Sequence, residues 1–209
     1  MPHVVLLGDS IFDNASYTAG QPDVIAQLQA AVNPDWRVSS CAVDGSMMQD
    51  IPAQISRIPT DATDLVVSIG GNNAIDNADV LTQPVALTAQ ALLILAERGD
   101  QFERSYRQTI RQLLRTGLKL IVCTIDNGNS PDLTYRRTVQ TALMTFNDVI
   151  LRVAFEFGLT VIDLRLVCSN PEDYANPIEP SAIGGAKIAR AIAHSLRGSS
   201  DEISRVYVA

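Results

Sequence analysis

Short apolar runs alternate with longer segments of helical period along the chain. The runs at 4–7, 37–43, 65–69, 118–124 and 160–164 are mostly Val, Ile and Leu without polar alternation, as expected of strands covered on both faces. The clearest helix spans 134–157, where Val139, Ala142, Leu143, Phe146, Val149, Ile150 and Val153 make one apolar stripe that core packing explains. Further helices are predicted to start near Gln21, Gln49, Pro84 and Ser181, and Gly99 is predicted to separate the Pro84 helix from one over 102–116. Five strand–helix units in succession predict a single α/β domain, a three-layer α/β/α arrangement around a five-stranded parallel sheet with right-handed crossovers. The domain is expected over 1–198, with a tail at 199–209.

In open parallel sheets ligands bind outside the carboxyl ends of the strands. The polar and glycine-rich punctuation falls at that edge. Ser10 follows the first run, Gly45 the second, Gly70-Gly71-Asn72-Asn73 the third and Asp126-Asn127-Gly128-Asn129 the fourth, while Asn176 to Ser181 lie in the loop after the fifth.

Composition narrows the partners. With 209 residues and 46% apolar content, the chain is long enough for one sizeable core. A net charge of −7 argues against nucleic acid or anionic membrane as the main partner, since both are bound by clustered Lys and Arg. Arg104, Arg107, Arg111 and Arg115 recur at helical spacing and read as a solvated helix face. Cys41, Cys123 and Cys168 read as small buried thiols, which suggests a reducing compartment. No charged leader precedes the first run and no window approaches the ~18 apolar residues of a membrane span, so a cytoplasmic location is expected. Val206-Tyr207-Val208 in the tail is apolar enough to pack on a second subunit, so a homodimer is a possible partner arrangement.

Gly8-Asp9-Ser10 reads as a serine nucleophile at a strand end, yet no histidine is placed to serve it. His3 sits at the far end of the same strand, roughly 23 Å away at ~3.3 Å per residue. His194 falls about 15 residues beyond the loop at 176–181, a distance of ~22 Å along a helix. With Gly45 and Gly70-Gly71-Asn72 following in order, the chain resembles the SGNH hydrolase superfamily, also called the GDSL esterases and lipases, nearly end to end. The resemblance implies a flavodoxin-like fold, Ser10 as nucleophile and no cofactor. It also implies an oxyanion hole made by the Ser10 and Gly45 backbone N–H groups with the Asn72 carboxamide. Such donors suit the charge that develops on a tetrahedral intermediate.

The last block departs from that pattern. Where the family carries Asp-x-x-His, this chain has Asn176-Pro177-Ile178-Glu179-Pro180-Ser181. Glu179 is the candidate base in place of histidine; an ordinary Glu is ~3 kcal/mol weaker in that role. Burial would recover part of the deficit, while a helix start near Pro180 or Ser181 would oppose it. Asn176 removes the charge of the family's Asp and can donate a hydrogen bond to Glu179. The expectation is a Ser10–Glu179 dyad positioned by Asn176 and acting on a small acyl ester. Asp9, Asp13, Asn73 and Asp126 are candidate substrate contacts, with Asn14 and Tyr17 in the same loop as Asp13. Asp126 or Arg165 is placed to tune Glu179 from a neighbouring loop. Two readings compete: a binding protein for an acylated small molecule or carbohydrate that has lost hydrolysis, and a Mg²⁺ or Ca²⁺ site built from Asp9, Asp13, Asp126 and Glu179.

Overall fold

The computed structural model describes residues 1–197; the tail positions Val206, Tyr207 and Val208 lie outside the described residues. Five parallel strands form one sheet: β1 (His3–Gly8), β2 (Arg37–Ser40), β3 (Asp64–Ser68), β4 (Lys119–Cys123) and β5 (Thr160–Ile162), in the order β2-β1-β3-β4-β5. Strand order reverses between β1 and β3, the position where sheets of this type open a crevice for ligand. Ser10 and Asn72 follow those two strands.

Alternate residues of each strand feed two separate cores. Val5, Leu7, Leu65, Val67 and Val122 pack under α2 (Ile51–Ile55), α4 (Thr88–Leu114) and α5 (Leu133–Glu156), against Ile51, Tyr106, Ile110, Phe146 and Ile150. Val4, Leu6, Val66 and Ile121 face α1 (Val24–Ala31) and α7 (Ala182–Arg197), against Val24, Leu28, Ile188 and Ile192. Two short helices, α3 (Gly71–Ile75) and α6 (Leu164–Val167), follow β3 and β5. The three-layer arrangement expected from the strand–helix alternation is present. Among the described residues no helix is long and apolar enough to cross a membrane.

Three local expectations fail for identifiable reasons. Gly99 does not divide the helix over 88–114. It is buried where α4 meets α5, and a Cβ there would lie 2.7 Å from Thr145 Cγ2, so this glycine permits close helix approach. β5 stops at Ile162, two residues short. Asp163 accepts from the Arg165 N–H and caps α6 instead, and Leu164 is apolar because it is wholly buried. β2 ends at Ser40 because the Ala42 N–H turns to the Ser40 hydroxyl, although the Cys41 and Val43 N–H groups still bond to Leu6 and Gly8 of β1.

Candidate active site

The end of β1 is built around Gly8. Its φ of +129° lies in the region open to glycine, and a Cβ would lie 1.7 Å from the Ser68 carbonyl oxygen of β3. Gln54, buried on α2, grips this residue from both sides: its Oε1 accepts from Gly8 N–H at 2.7 Å and its Nε2 donates to Gly8 C=O at 2.8 Å. The chain then turns tightly, with Phe12 and Asp13 N–H both bonded to the Asp9 carbonyl and Ile11 N–H to Asp9 Oδ1. Ser10 is left in the wall of a cavity of about 390 Å³, beside Asp9, Asn72, Asp126 and Glu179. No described residue accepts a hydrogen bond from the Ser10 N–H. The two histidines are elsewhere. His3 is buried at the opposite end of β1, between Asp61 and Ser39 at 3.1 and 2.8 Å, and His194 is exposed in the last turn of α7.

Glu179 reaches the cavity on a loop held at several points. Asn176 Oδ1 accepts from the backbone N–H groups of Ile178 and Glu179, at 3.0 and 2.9 Å. Ala175 N–H bonds back to the Glu179 carbonyl at 2.9 Å, and Tyr174 pairs with Pro180 in a single antiparallel bridge. Asn14, itself fully buried, donates to the Pro180 carbonyl at 3.4 Å, and Asn129 N–H reaches Pro177 C=O at 2.7 Å. Asn176 thus fixes the loop through the backbone and not by donating to the Glu179 carboxyl as expected. A carboxamide oxygen accepting two successive N–H groups closes the turn itself, which a bond between the two side chains would not.

Glu179 is 7% exposed, and its Oε2 has no hydrogen-bond partner among the described residues. Burial pushes its pKa above the ordinary value, the Ser10 hydroxyl acts in the opposite direction, and the charges of Asp44 and Asp126 add to the rise. α7 begins at Ala182, so Glu179 lies outside its first turn, and burial sets the direction of the shift. Burial also pushes Asp9 up to about 7, against the Ile11 N–H bond and with the charges of Asp126 and Glu179 adding to it. Asp126 is raised by burial as well, opposed by the Gly128 N–H and by Tyr174. The polar end of the cavity therefore holds three carboxyl groups of enhanced basicity.

Asn72 spends one carboxamide hydrogen on the Ser46 carbonyl at 2.9 Å, which orients the group and leaves its second donor. Gly45 adopts φ +77° in an exposed turn outside the cavity lining, one residue before the carbonyl that holds Asn72. Asp13 and Asn73 are likewise outside that lining. Asp13 accepts from Asp44 N–H at 2.9 Å and Asn73 from Met48 N–H at 3.0 Å, so both brace loops. Tyr17 donates to Asp44 at 2.7 Å, and Arg165 is paired with Asp163. Of the four acidic residues considered for a cation, Asp13 lies apart from the other three, and no group able to hold a metal ion is found among the described residues.

The sequence-based reading missed the cavity's apolar wall. Val139, Ala142 and Leu143, assigned to core packing, line the cavity together with Ala78 and Leu81 from the short 3₁₀ turn Ala78–Thr82. The stripe on α5 is fully buried only from Phe146 onward, with Leu143 both packed against that core and lining the cavity. It also missed Gln54, for which no sequence signal exists because one glutamine in a short helix resembles any other.

A model of the GDSL-like lipase/acylhydrolase family matches residues 6–186. The chain belongs to this family. Solved structures agree on the fold. A phospholipase A1 from Streptomyces albidoflavus is 17% identical with a TM-score of 0.67, covering 92% of this chain and 98% of its own. An extracellular lipase from Streptomyces rimosus gives 19% and 0.65, covering 93% and 99%. An acetylxylan esterase from Geobacillus stearothermophilus gives 21% and 0.62, covering 97% of each chain. A comparison with curated protein sequences finds no match. Within this GDSL-like chain, the motif residues Ser10 and Asn72 share one cavity with the divergent residue Glu179.

Proposed function

We propose that this GDSL-like hydrolase is a serine esterase in which Glu179 takes the proton of Ser10. Ser10 Oγ attacks the ester carbonyl carbon while its proton passes to the Glu179 carboxylate, and the carbonyl oxygen becomes an oxyanion. The free donor of Asn72 and the unengaged Ser10 N–H are available to that oxyanion, and each donor of this kind typically contributes ~2.7–4 kcal/mol. Glu179 then returns the proton to the departing alcohol, leaving an acyl-enzyme. Water repeats the sequence, its proton going to Glu179 and its oxygen to the acyl carbon, and the acid leaves with Ser10 restored.

The observation that carries this reading is the buried, unpartnered Oε2 of Glu179 in the cavity wall beside Ser10. A buried acceptor without a donor is costly for the fold and useful as a base. Asp44 and Asp126 add to its proton affinity by charge, and Asn176 sets its place through the backbone. The free, buried thiols of Cys41, Cys123 and Cys168 support a reducing, cytoplasmic setting for the protein.

Labelling by a fluorophosphonate, read by intact mass, tests the proposal. Wild type is expected to gain one adduct, Ser10→Ala none, and Glu179→Gln an adduct forming at least about 100-fold more slowly. An unlabelled wild type would favour a binding protein that keeps the fold without turnover.

A further inference from the structure

We infer, resting on the ester reading above, that the cavity beside Ser10 is a channel for an unbranched acyl chain of medium length, and that acetyl esters are poor substrates. An acetyl group needs only the space between Ser10 and Asn72. The cavity measures about 390 Å³, within the roughly 300–1,000 Å³ of sites that enclose a small molecule. Beyond the carboxyl groups its wall is mainly aliphatic: Ile69 from the end of β3, Ala78 and Leu81 from the 3₁₀ turn, and Val139, Ala142 and Leu143 from the first half of α5. These last three are only half-buried, although they continue a stripe whose remaining members are sealed in the core. An apolar stripe left half-covered at the carboxyl edge of the sheet, opening on the nucleophile, fits a hydrocarbon ligand that completes its burial.

Small side chains keep the channel open. Ala78 and Ala142 stand on two different walls, so a larger residue at either position occupies the volume assigned to the chain. The acidic polar end adds a second feature. Asp9, Asp126 and Glu179 share the lining with Ser10, and Arg136, the one cation of that lining, turns its Nε to the Ser130 carbonyl at 2.6 Å, so the fatty acid product is disfavoured where the neutral ester is accepted.

Two measurements separate this inference from the ester reading. In the first, kcat/KM for p-nitrophenyl esters is compared from acetate through butyrate and octanoate to dodecanoate, in wild type and in Ala78→Phe and Ala142→Phe. Each methylene that enters the channel is expected to raise kcat/KM by about fourfold until the channel is full. Both Phe variants are expected to lower the octanoate-to-acetate ratio at least tenfold. In the second, calorimetry measures binding of uncharged octanamide and acetamide to the Ser10→Ala protein, which needs no turnover; octanamide is expected to bind far more tightly. Tight octanamide binding with no hydrolysis of any ester by wild type would keep the channel and defeat the ester reading. Ser10-dependent hydrolysis with acetate as good as octanoate, and a ratio unmoved in both Phe variants, would overturn the channel and leave the esterase standing.

Discussion

Asp9 is a residue whose ionisation the fold clearly resists. The residue is 4% exposed, and its carboxyl already accepts from Ile11 N–H and feels the charges of Asp126 and Glu179. With a folded pKa of about 7 against 3.8 for the unfolded chain, the stability that the neutral form provides is fully present below about pH 3.8 and is lost as pH rises through 7. Asp9→Asn keeps the neutral shape and the acceptor for Ile11. The variant is therefore expected to match wild type near pH 3.5 and to gain stability progressively up to about pH 7. At 1.36 kcal/mol per pH unit the plateau is on the order of 4 kcal/mol. Urea unfolding at the two ends of that range checks it; an equal midpoint difference at both would refute the account. At this scale the sequence was informative where residue type names a chemistry. Ser10, Asn72 and Glu179 were singled out on that ground, and all three line one cavity. Asp13 and Asn73 were not, because an acid or amide beside a loop N–H braces that loop as readily as it contacts substrate.

The elements show why position along the chain was easier to read than purpose. Runs of Val, Ile and Leu gave the five strands, and parallel connectivity then sends every following loop to one edge. Apolar period alone does not distinguish a face turned to the core from one turned to a ligand, so the first half of α5 was misjudged. Glycines were misread for a related reason, since Gly99 serves helix contact and not helix termination. Gly184, in the first turns of α7, is a sharper case. A Cβ there would lie 2.1 Å from the Asp173 carbonyl oxygen, in the segment that leads into the Glu179 loop. Helix propensity alone favours Gly184→Ala by about 1 kcal/mol. Contact with the backbone reverses the sign, and a net loss of about 1–3 kcal/mol is expected, read as a lower urea midpoint. Because the displaced segment carries Glu179, kcat is expected to fall with it. A stabilised variant of unchanged kcat would show that α7 does not position this loop.

On the scale of the whole molecule, the sheet brings the motif residues Ser10 and Asn72 and the divergent residue Glu179 to one crevice. The strand order puts Ser10 and Asn72 on either side of the β1/β3 switch, and the loop before α7 closes the crevice with Glu179. That convergence was legible from strand order and loop spacing. The size of the cavity was not, because it depends on how far α5 and the 3₁₀ turn Ala78–Thr82 stand apart once packed. The central claim is that Glu179 does the work of the family's histidine. The most direct test is kcat/KM for p-nitrophenyl butyrate from about pH 4 to about pH 9, for wild type, Ser10→Ala and Glu179→Gln. The account predicts Ser10-dependent turnover in wild type with one acid limb, its apparent pKa above the ordinary Glu value because burial raises Glu179, and activity near background in both variants. Glu179→Gln turning over ester at the wild-type rate with the wild-type pH profile would contradict it.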